Sequence, residues 1–129
     1  MVCDIDATAR AAQSSDWLVV DVRAASRYRG EEEPIDPVAG HIPGARNRFW
    51  QDNLTPEGHL RDAAALRPEF DALLGTVPPE RCVFYCGSGV TSAFLVFLLE
   101  QAGLPGAKLY PGSWSEWCSD PARAVATGA

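Results

Sequence analysis

Cys82-Val83-Phe84-Tyr85-Cys86-Gly87-Ser88-Gly89-Val90-Thr91-Ser92-Ala93-Phe94-Leu95 is the stretch that decides the fold. Its first four residues are bulky and apolar without alternation, the pattern of a strand buried on both faces. Cys86-Gly87-Ser88-Gly89 cannot continue that strand, because two glycines in four residues favour a tight turn. From Val90 an apolar segment runs to Ala102 and stops at Gly103, which predicts a helix over residues 90–102 with a glycine C-terminal signal. The unit is strand, tight turn, helix.

The same alternation extends in both directions. Upstream, Trp17-Leu18-Val19-Val20-Asp21-Val22 reads as a second buried strand ending at Asp21. Downstream, Ala107-Lys108-Leu109-Tyr110 is a third. Leu66, Phe70, Leu73 and Leu74 fall at helical spacing, with Pro68 read in the first turn and Gly75 as the stop. Residues 30–44, rich in Glu, Pro and Gly, predict a long ordered loop. Residues 1–15 read as a variable N-terminal segment compatible with a short helix. Strands alternating with helices predict an α/β fold: one domain over residues 1–129, a central parallel sheet and helices on both faces.

Composition narrows the function. The chain has 129 residues, 47% hydrophobic and 22% charged, without low-complexity blocks, which excludes disorder and fibrous classes. Seventeen acidic against eleven basic residues give a net charge of -6, which argues against nucleic acid and sends any anionic ligand to a local positive pocket. The longest apolar run, Ala93 to Leu99, falls far short of the roughly 18 residues of a spanning helix, so no membrane partner is expected. Asp4, Asp6 and Arg10 interrupt any secretory h-region. On one strand Cys82 and Cys86 would lie roughly 13 Å apart, too far for a disulfide. The cysteine usage therefore reads as reduced and cytoplasmic.

Cys86 stands where a strand ends and a helix begins, the place where open α/β sheets bind ligands. A cysteine there is often only a small buried residue. The flanking glycines favour chemistry instead, since they add nothing to packing and permit inward-turned backbone N–H groups. Such a cradle, with the helix N-terminus behind it, lowers a thiol pKa and makes a nucleophile. Cys82 has no such cradle and reads as core. His41 and His59 are the only histidines, and no metal-ligand spacing appears.

Cys86-Gly87-Ser88-Gly89-Val90-Thr91 resembles the active-site loop of the rhodanese superfamily, in the form typical of 3-mercaptopyruvate sulfurtransferases. Asp21-Val22-Arg23, Arg27-Tyr28-Arg29-Gly30, Gly40-His41-Ile42-Pro43-Gly44-Ala45 and Gly112-Ser113-Trp114-Ser115-Glu116-Trp117 resemble that family's successive signatures, in order. The likeness is to the C-terminal catalytic domain of a two-domain enzyme. It implies a persulfide cycle on Cys86, with sulfur taken from 3-mercaptopyruvate or thiosulfate and given to cyanide or a thiol. It implies no metal and no organic cofactor. Ser88 would assist catalysis, the amides of Gly87, Gly89, Val90 and Thr91 would bind the sulfur anion, and Arg27 would grip the donor. Asp21, Arg23 and Trp114 would support the site, with Trp114 and Trp117 as candidate pocket walls.

Two rival readings bear on the same residues. A phosphatase loop of this fold has arginine six residues after its cysteine, and this chain has Ser92 there. A non-catalytic rhodanese-like binding or regulatory module is the stronger alternative, but such modules commonly lack the cysteine. Uncharged Gly87 and Ser88 favour mercaptopyruvate over thiosulfate, although Glu33-Pro34-Ile35-Asp36 lacks the second arginine common in mercaptopyruvate enzymes. Pro111 replaces the aspartate usual before Gly-Ser-Trp. Because such relatives bury the loop between two domains, a lone half is expected to expose Cys86 and leave its pocket incomplete, unless a homodimer or an N-terminal rhodanese domain covers it.

Overall fold

The computed structural model describes residues 2–87 and 90–128. Asp4 opens the chain's first helix, α1 (Ile5–Gln13), by accepting a 2.8 Å hydrogen bond from the Ala7 N–H. The buried run predicted around residue 20 is β1 (Leu18–Asp21), and the single turn α2 (Ala25–Tyr28) follows it. The sheet's short edge, β2 (Arg46–Asn47), comes after the long loop. Then follow α3 (Ala63–Leu74), β3 (Cys82–Tyr85), α4 (Val90–Gln101), β4 (Lys108–Leu109) and α5 (Ser113–Ser119).

The four strands form one parallel sheet in the order β2-β1-β3-β4. β1 and β3 sit at its centre, with Leu18 opposite Cys82 and Asp21 opposite Tyr85. Strand alternation sends their side chains to opposite faces, and helices cover both. Val20 and Phe84 pack against Leu66 and Phe70 of α3 and Leu95 and Leu99 of α4. Val19, Val83 and Tyr85 pack against Ala11 of α1 and Trp114 and Trp117 of α5. Cys82 is core, as read from sequence: it is fully buried and its thiol points at the Pro78 carbonyl, 3.5 Å away.

Three details depart from the sequence reading. Pro68 is not in the first turn of its helix, because α3 begins at Ala63; the proline interrupts the interior of the helix and removes the bond that Ala64's carbonyl would receive. β4 is shorter than the predicted 107–110, although the Tyr110 N–H still reaches the Phe84 carbonyl at 3.0 Å. β2 carries no hydrophobic run at all. Asn47 holds that edge instead, its side-chain amide donating to the carbonyls of Asp21 and Arg23 at 3.0 and 2.9 Å.

The loop over residues 30–44 is ordered by contacts rather than by regular structure. Gly40 has a φ of +131°, and a Cβ on it would stand 2.5 Å from the Ala126 carbonyl oxygen. That close approach lets His41 and Ala126 exchange two backbone hydrogen bonds of 2.9 Å. His41 stacks on Tyr28 with ring centroids 3.8 Å apart, and Tyr28's hydroxyl reaches the Ala45 carbonyl. The histidine is thus part of the scaffold. This loop carries Glu33 and Asp36 to the carboxyl end of the sheet.

Candidate active site

Cys86 follows β3 directly, so its position is set by the buried strand behind it. Its backbone is tied down on three sides. The Cys86 N–H donates to Ser113 Oγ at 3.1 Å, its carbonyl accepts from the Trp114 N–H at 2.9 Å, and the Gly87 carbonyl accepts from the Ser115 N–H at 3.0 Å. Ser113 reaches this place only because its φ is +56°, a left-handed conformation that costs a non-glycine residue of the order of 1–3 kcal/mol. Its hydroxyl proton goes to the Tyr110 carbonyl at 2.9 Å, so the 3.9 Å approach of Ser113 Oγ to the Cys86 sulfur is secondary. Ser92, in the first turn of α4 and fully buried, donates its hydroxyl to Cys86 Sγ at 3.5 Å.

A cavity of about 300 Å³ opens over the sulfur. Cys86, Gly87 and Thr91 form its floor, Arg23 and Arg27 its cationic side, and Asp36 and Ser115 face them. Ile35, Phe49, Trp50 and Val90 make an apolar mouth. The expectation that a lone half exposes Cys86 is corrected here. Cys86 is only 2% exposed, and Asp36 and Ser115, joined by a 2.8 Å hydrogen bond, line its cavity within this one chain.

Arg23 is the brace of the cationic side. It is 3% exposed, binds Asp21 through Nε and Nη2, and reaches the Gly40 carbonyl at 2.6 Å and Glu33 at 3.3 Å. Burial opposes its charge, but the Asp21 carboxylate more than offsets this and raises the guanidinium pKa further. Its guanidinium lies 4.9 Å from the Trp114 ring centroid. Trp114 itself is fully buried and donates its indole N–H to the Val38 carbonyl at 2.9 Å. Neither it nor Trp117 lines the cavity; Trp117 packs in the same apolar cluster and donates its indole N–H to the Ala124 carbonyl at 2.9 Å.

Arg27 does face the cavity. Its Nη2 pairs with Glu33 at 3.1 Å and lies 3.8 Å from Asp36, and its Nε is buried with no hydrogen-bond partner among the described residues. A Cβ placed on Gly87 would stand 3.6 Å from this guanidinium, an ordinary contact. Glycine at 87 is therefore not demanded by crowding. Glu33 is anchored by four donors: Arg23, Arg27 and the N–H groups of Ile35 and Asp36. Burial works against its charge, but those backbone bonds and Arg27 outweigh it and hold the carboxyl below the usual range.

Of the residues singled out in sequence, the structure brings Cys86, Gly87, Val90, Thr91, Arg23 and Arg27 to one cavity and puts Asp21 and Trp114 behind it. Ser88 and Gly89 lie outside the described residues. Sequence reading passed over Ser92, Ser113, Glu33 and Asp36. Ser92 had a signal, since it occupies the helix turn that faces back to the loop. Ser113 and Asp36 had none, because long-range contacts place them. Among the described residues no group of three or more His, Cys, Asp or Glu is arranged to hold a metal ion.

A cysteine after a central parallel strand, beside an arginine and a helix start, makes this an α/β domain with a candidate site at the carboxyl end of its sheet, and the family follows from comparison. The model of the rhodanese-like domain matches residues 5–120, and the chain belongs to that family. A Pseudomonas aeruginosa protein named "Probable 3-mercaptopyruvate sulfurtransferase" is 53% identical over 110 residues, covering 85% of this chain and 39% of that protein. The Escherichia coli K12 3-mercaptopyruvate sulfurtransferase is 38% identical over 104 residues, covering 77% and 35%. The chain thus spans well under half the length of these relatives. Among solved structures, the anaerobic ergothioneine biosynthesis enzyme of Chlorobium limicola, in complex with trimethyl histidine, superposes with a TM-score of 0.86 at 28% identity, covering 99% of this chain and 32% of that one. Another structure of similar likeness holds ergothioneine covalently linked with a persulfide cysteine.

Proposed function

We propose that this chain, over residues 1–129, is the catalytic domain of a sulfurtransferase that carries sulfane sulfur on Cys86. The observation that carries the reading is the setting of that thiol: buried after β3, hydrogen-bonded by Ser92, and opening into a cavity walled by Arg27. In the first half-reaction the Cys86 thiolate attacks the outer sulfur of the donor. With 3-mercaptopyruvate the C–S bond breaks, its electron pair stays on carbon, and the carbon takes up the thiol proton to leave as pyruvate. With thiosulfate the S–S bond breaks and sulfite leaves with the pair. In the second, a thiolate or cyanide attacks the terminal persulfide sulfur and Cys86 departs as thiolate. The cycle needs no external oxidant or reductant.

Arg27 binds the donor's carboxylate or sulfonate, Ser92 and the amides of residues 87–91 hold the anionic sulfur, and the Asp21–Arg23 pair fixes the wall from which Arg27 projects. Ser88 belongs to this proposal as an assisting hydroxyl. Mercaptopyruvate is the preferred donor, supported by the uncharged Gly87 beside the nucleophile. The relatives' greater length supports a second domain, or a second copy of the chain, over the apolar mouth; the buried thiols Cys3, Cys82 and Cys118 support a reducing, cytoplasmic setting. Intact-mass measurement after incubation with each donor tests the reading. The wild type gains one sulfur atom and Cys86→Ser gains none; a wild type that gains sulfur from neither donor refutes it.

A further inference from the structure

Resting on that sulfur-transfer reading, the structure assigns Asp36 as the residue that sets the charge class of the donor, admitting a monoanion and rejecting a dianion. The assignment starts from where the carboxylate is held. Its Oδ1 accepts the Ser115 hydroxyl at 2.8 Å, which pins the group to the N-terminal turn of α5. Its Oδ2 lies 3.8 Å from Arg27 Nη2, too far for a hydrogen bond, and has no hydrogen-bond partner among the described residues. The side chain is 90% buried, at 10% exposure, and lines the cavity over Cys86. A carboxylate so placed holds a buried, unmatched oxygen and a negative charge beside whatever enters.

Glu33 strengthens the effect. It already occupies Arg27 Nη2 at 3.1 Å, so the arginine meets a donor with part of its fork engaged. Counting the charged side chains at this wall, Arg23 and Arg27 face Asp21, Glu33 and Asp36. Three carboxylates against two guanidinium groups leave the wall with no surplus positive charge for a second anionic group. One carboxylate or one sulfonate oxygen pair can be held by Arg27. The additional charge of a dianion is felt by Asp36 without compensation, and a unit charge about 8 Å away at an effective dielectric near 20 corresponds to a factor of about thirty in binding.

Thiosulfate is a dianion and mercaptopyruvate carries one carboxylate, so Asp36 discriminates between them at the donor-binding step. The test compares kcat/KM for the two donors, with cyanide as common acceptor, in the wild type, Asp36→Asn and Ser115→Ala. Asp36→Asn raises the thiosulfate-to-mercaptopyruvate ratio by about thirtyfold, chiefly through a lower KM for thiosulfate. Ser115→Ala, which only unpins the carboxylate, moves the ratio the same way by less. Sulfate, an unreactive dianion, inhibits Asp36→Asn at lower concentration than it inhibits the wild type, whereas inhibition by pyruvate changes little. Should Asp36→Asn fail to fold, the wild type alone decides, since it must bind pyruvate more tightly than sulfate. Equal gains for both donors, or an unchanged ratio, overturn the assignment while leaving sulfur transfer intact. A wild type that takes sulfur from neither donor overturns both.

Discussion

Replacing Ser92 by alanine removes the side-chain hydroxyl that donates to the Cys86 sulfur at 3.5 Å. The Ser92 Oγ to Cys86 Sγ distance of 3.5 Å is that of a moderate sulfur hydrogen bond, and both groups are buried. Hydrogen bonds to charged acceptors contribute about 1.5–3 kcal/mol, and the soft, diffuse sulfur places this one at the lower end. Since 1.36 kcal/mol is a factor of ten, losing about 1.5 kcal/mol of thiolate stabilisation lowers the thiolate population about tenfold wherever the thiol predominates. The rate of sulfur loading in a single turnover falls by about the same factor. The assay is the pH dependence of alkylation by iodoacetamide, read as intact mass. The other thiols do not interfere at low pH: burial and the nearby Glu80 push Cys82 up to about 12, and burial raises Cys3 and Cys118 as well. Alanine fills nearly the volume of serine, so the fold is preserved. An alkylation midpoint that stays in place, or moves down, would show that Ser92 does not hold the thiolate.

Other expectations follow from the ion pairs around the site. Arg23→Leu strands the fully buried Asp21 and costs about 3–5 kcal/mol of stability in urea unfolding; a loss below about 1 kcal/mol would mean the pair is not a structural brace. Arg27→Ala, at the cavity wall and partly exposed, lowers kcat/KM for either donor by about 10- to 100-fold, with a smaller effect on the unfolding midpoint. Unchanged kinetics would make Arg27 an ordinary surface charge. Glu69 is held down to about 2 by hydrogen bonds from Arg61 and then Arg48. Because its folded pKa is depressed, its stabilisation is present above the unfolded value near 4.5 and disappears as pH falls through about 2. It is partly exposed, so the contribution stays below about 1 kcal/mol. Melting temperatures of wild type and Glu69→Gln therefore differ near neutral pH and converge in acid; a gap independent of pH would contradict this.

The parts of the fold legible in sequence are those where one local property dominates. Cys82 to Tyr85 and Leu18 to Asp21 are buried on both faces, so hydrophobicity alone marks them as strands. Gly103, with a φ of +84°, ends α4's apolar run where the sequence placed the stop. β2 was illegible because its edge is held by the Asn47 side chain instead of an apolar pattern. The site divides in the same way. Cys86 and Arg27 sit in recognisable local motifs. Ser113 meets Cys86 across 27 positions, and Asp36 meets Ser115 across 79, so nothing near either residue announces the contact.

The start of α5 carries a further consequence. Three consecutive residues of this short helix each hold a different part of the site: Ser113 the nucleophile's amide, Trp114 the Arg23 wall and the Val38 loop, Ser115 the Asp36 carboxylate. Successive helix positions differ by about 100° in direction, so a one-residue insertion or deletion just before Ser113 would turn all three away from their targets together. Residues 31–39 are fastened one by one instead, through Glu31, Glu32, Glu33, Asp36 and the Val38 carbonyl. The start of α5 thus fixes the backbone beside the Cys86 sulfur, while the loop brings the carboxylates that flank Arg27.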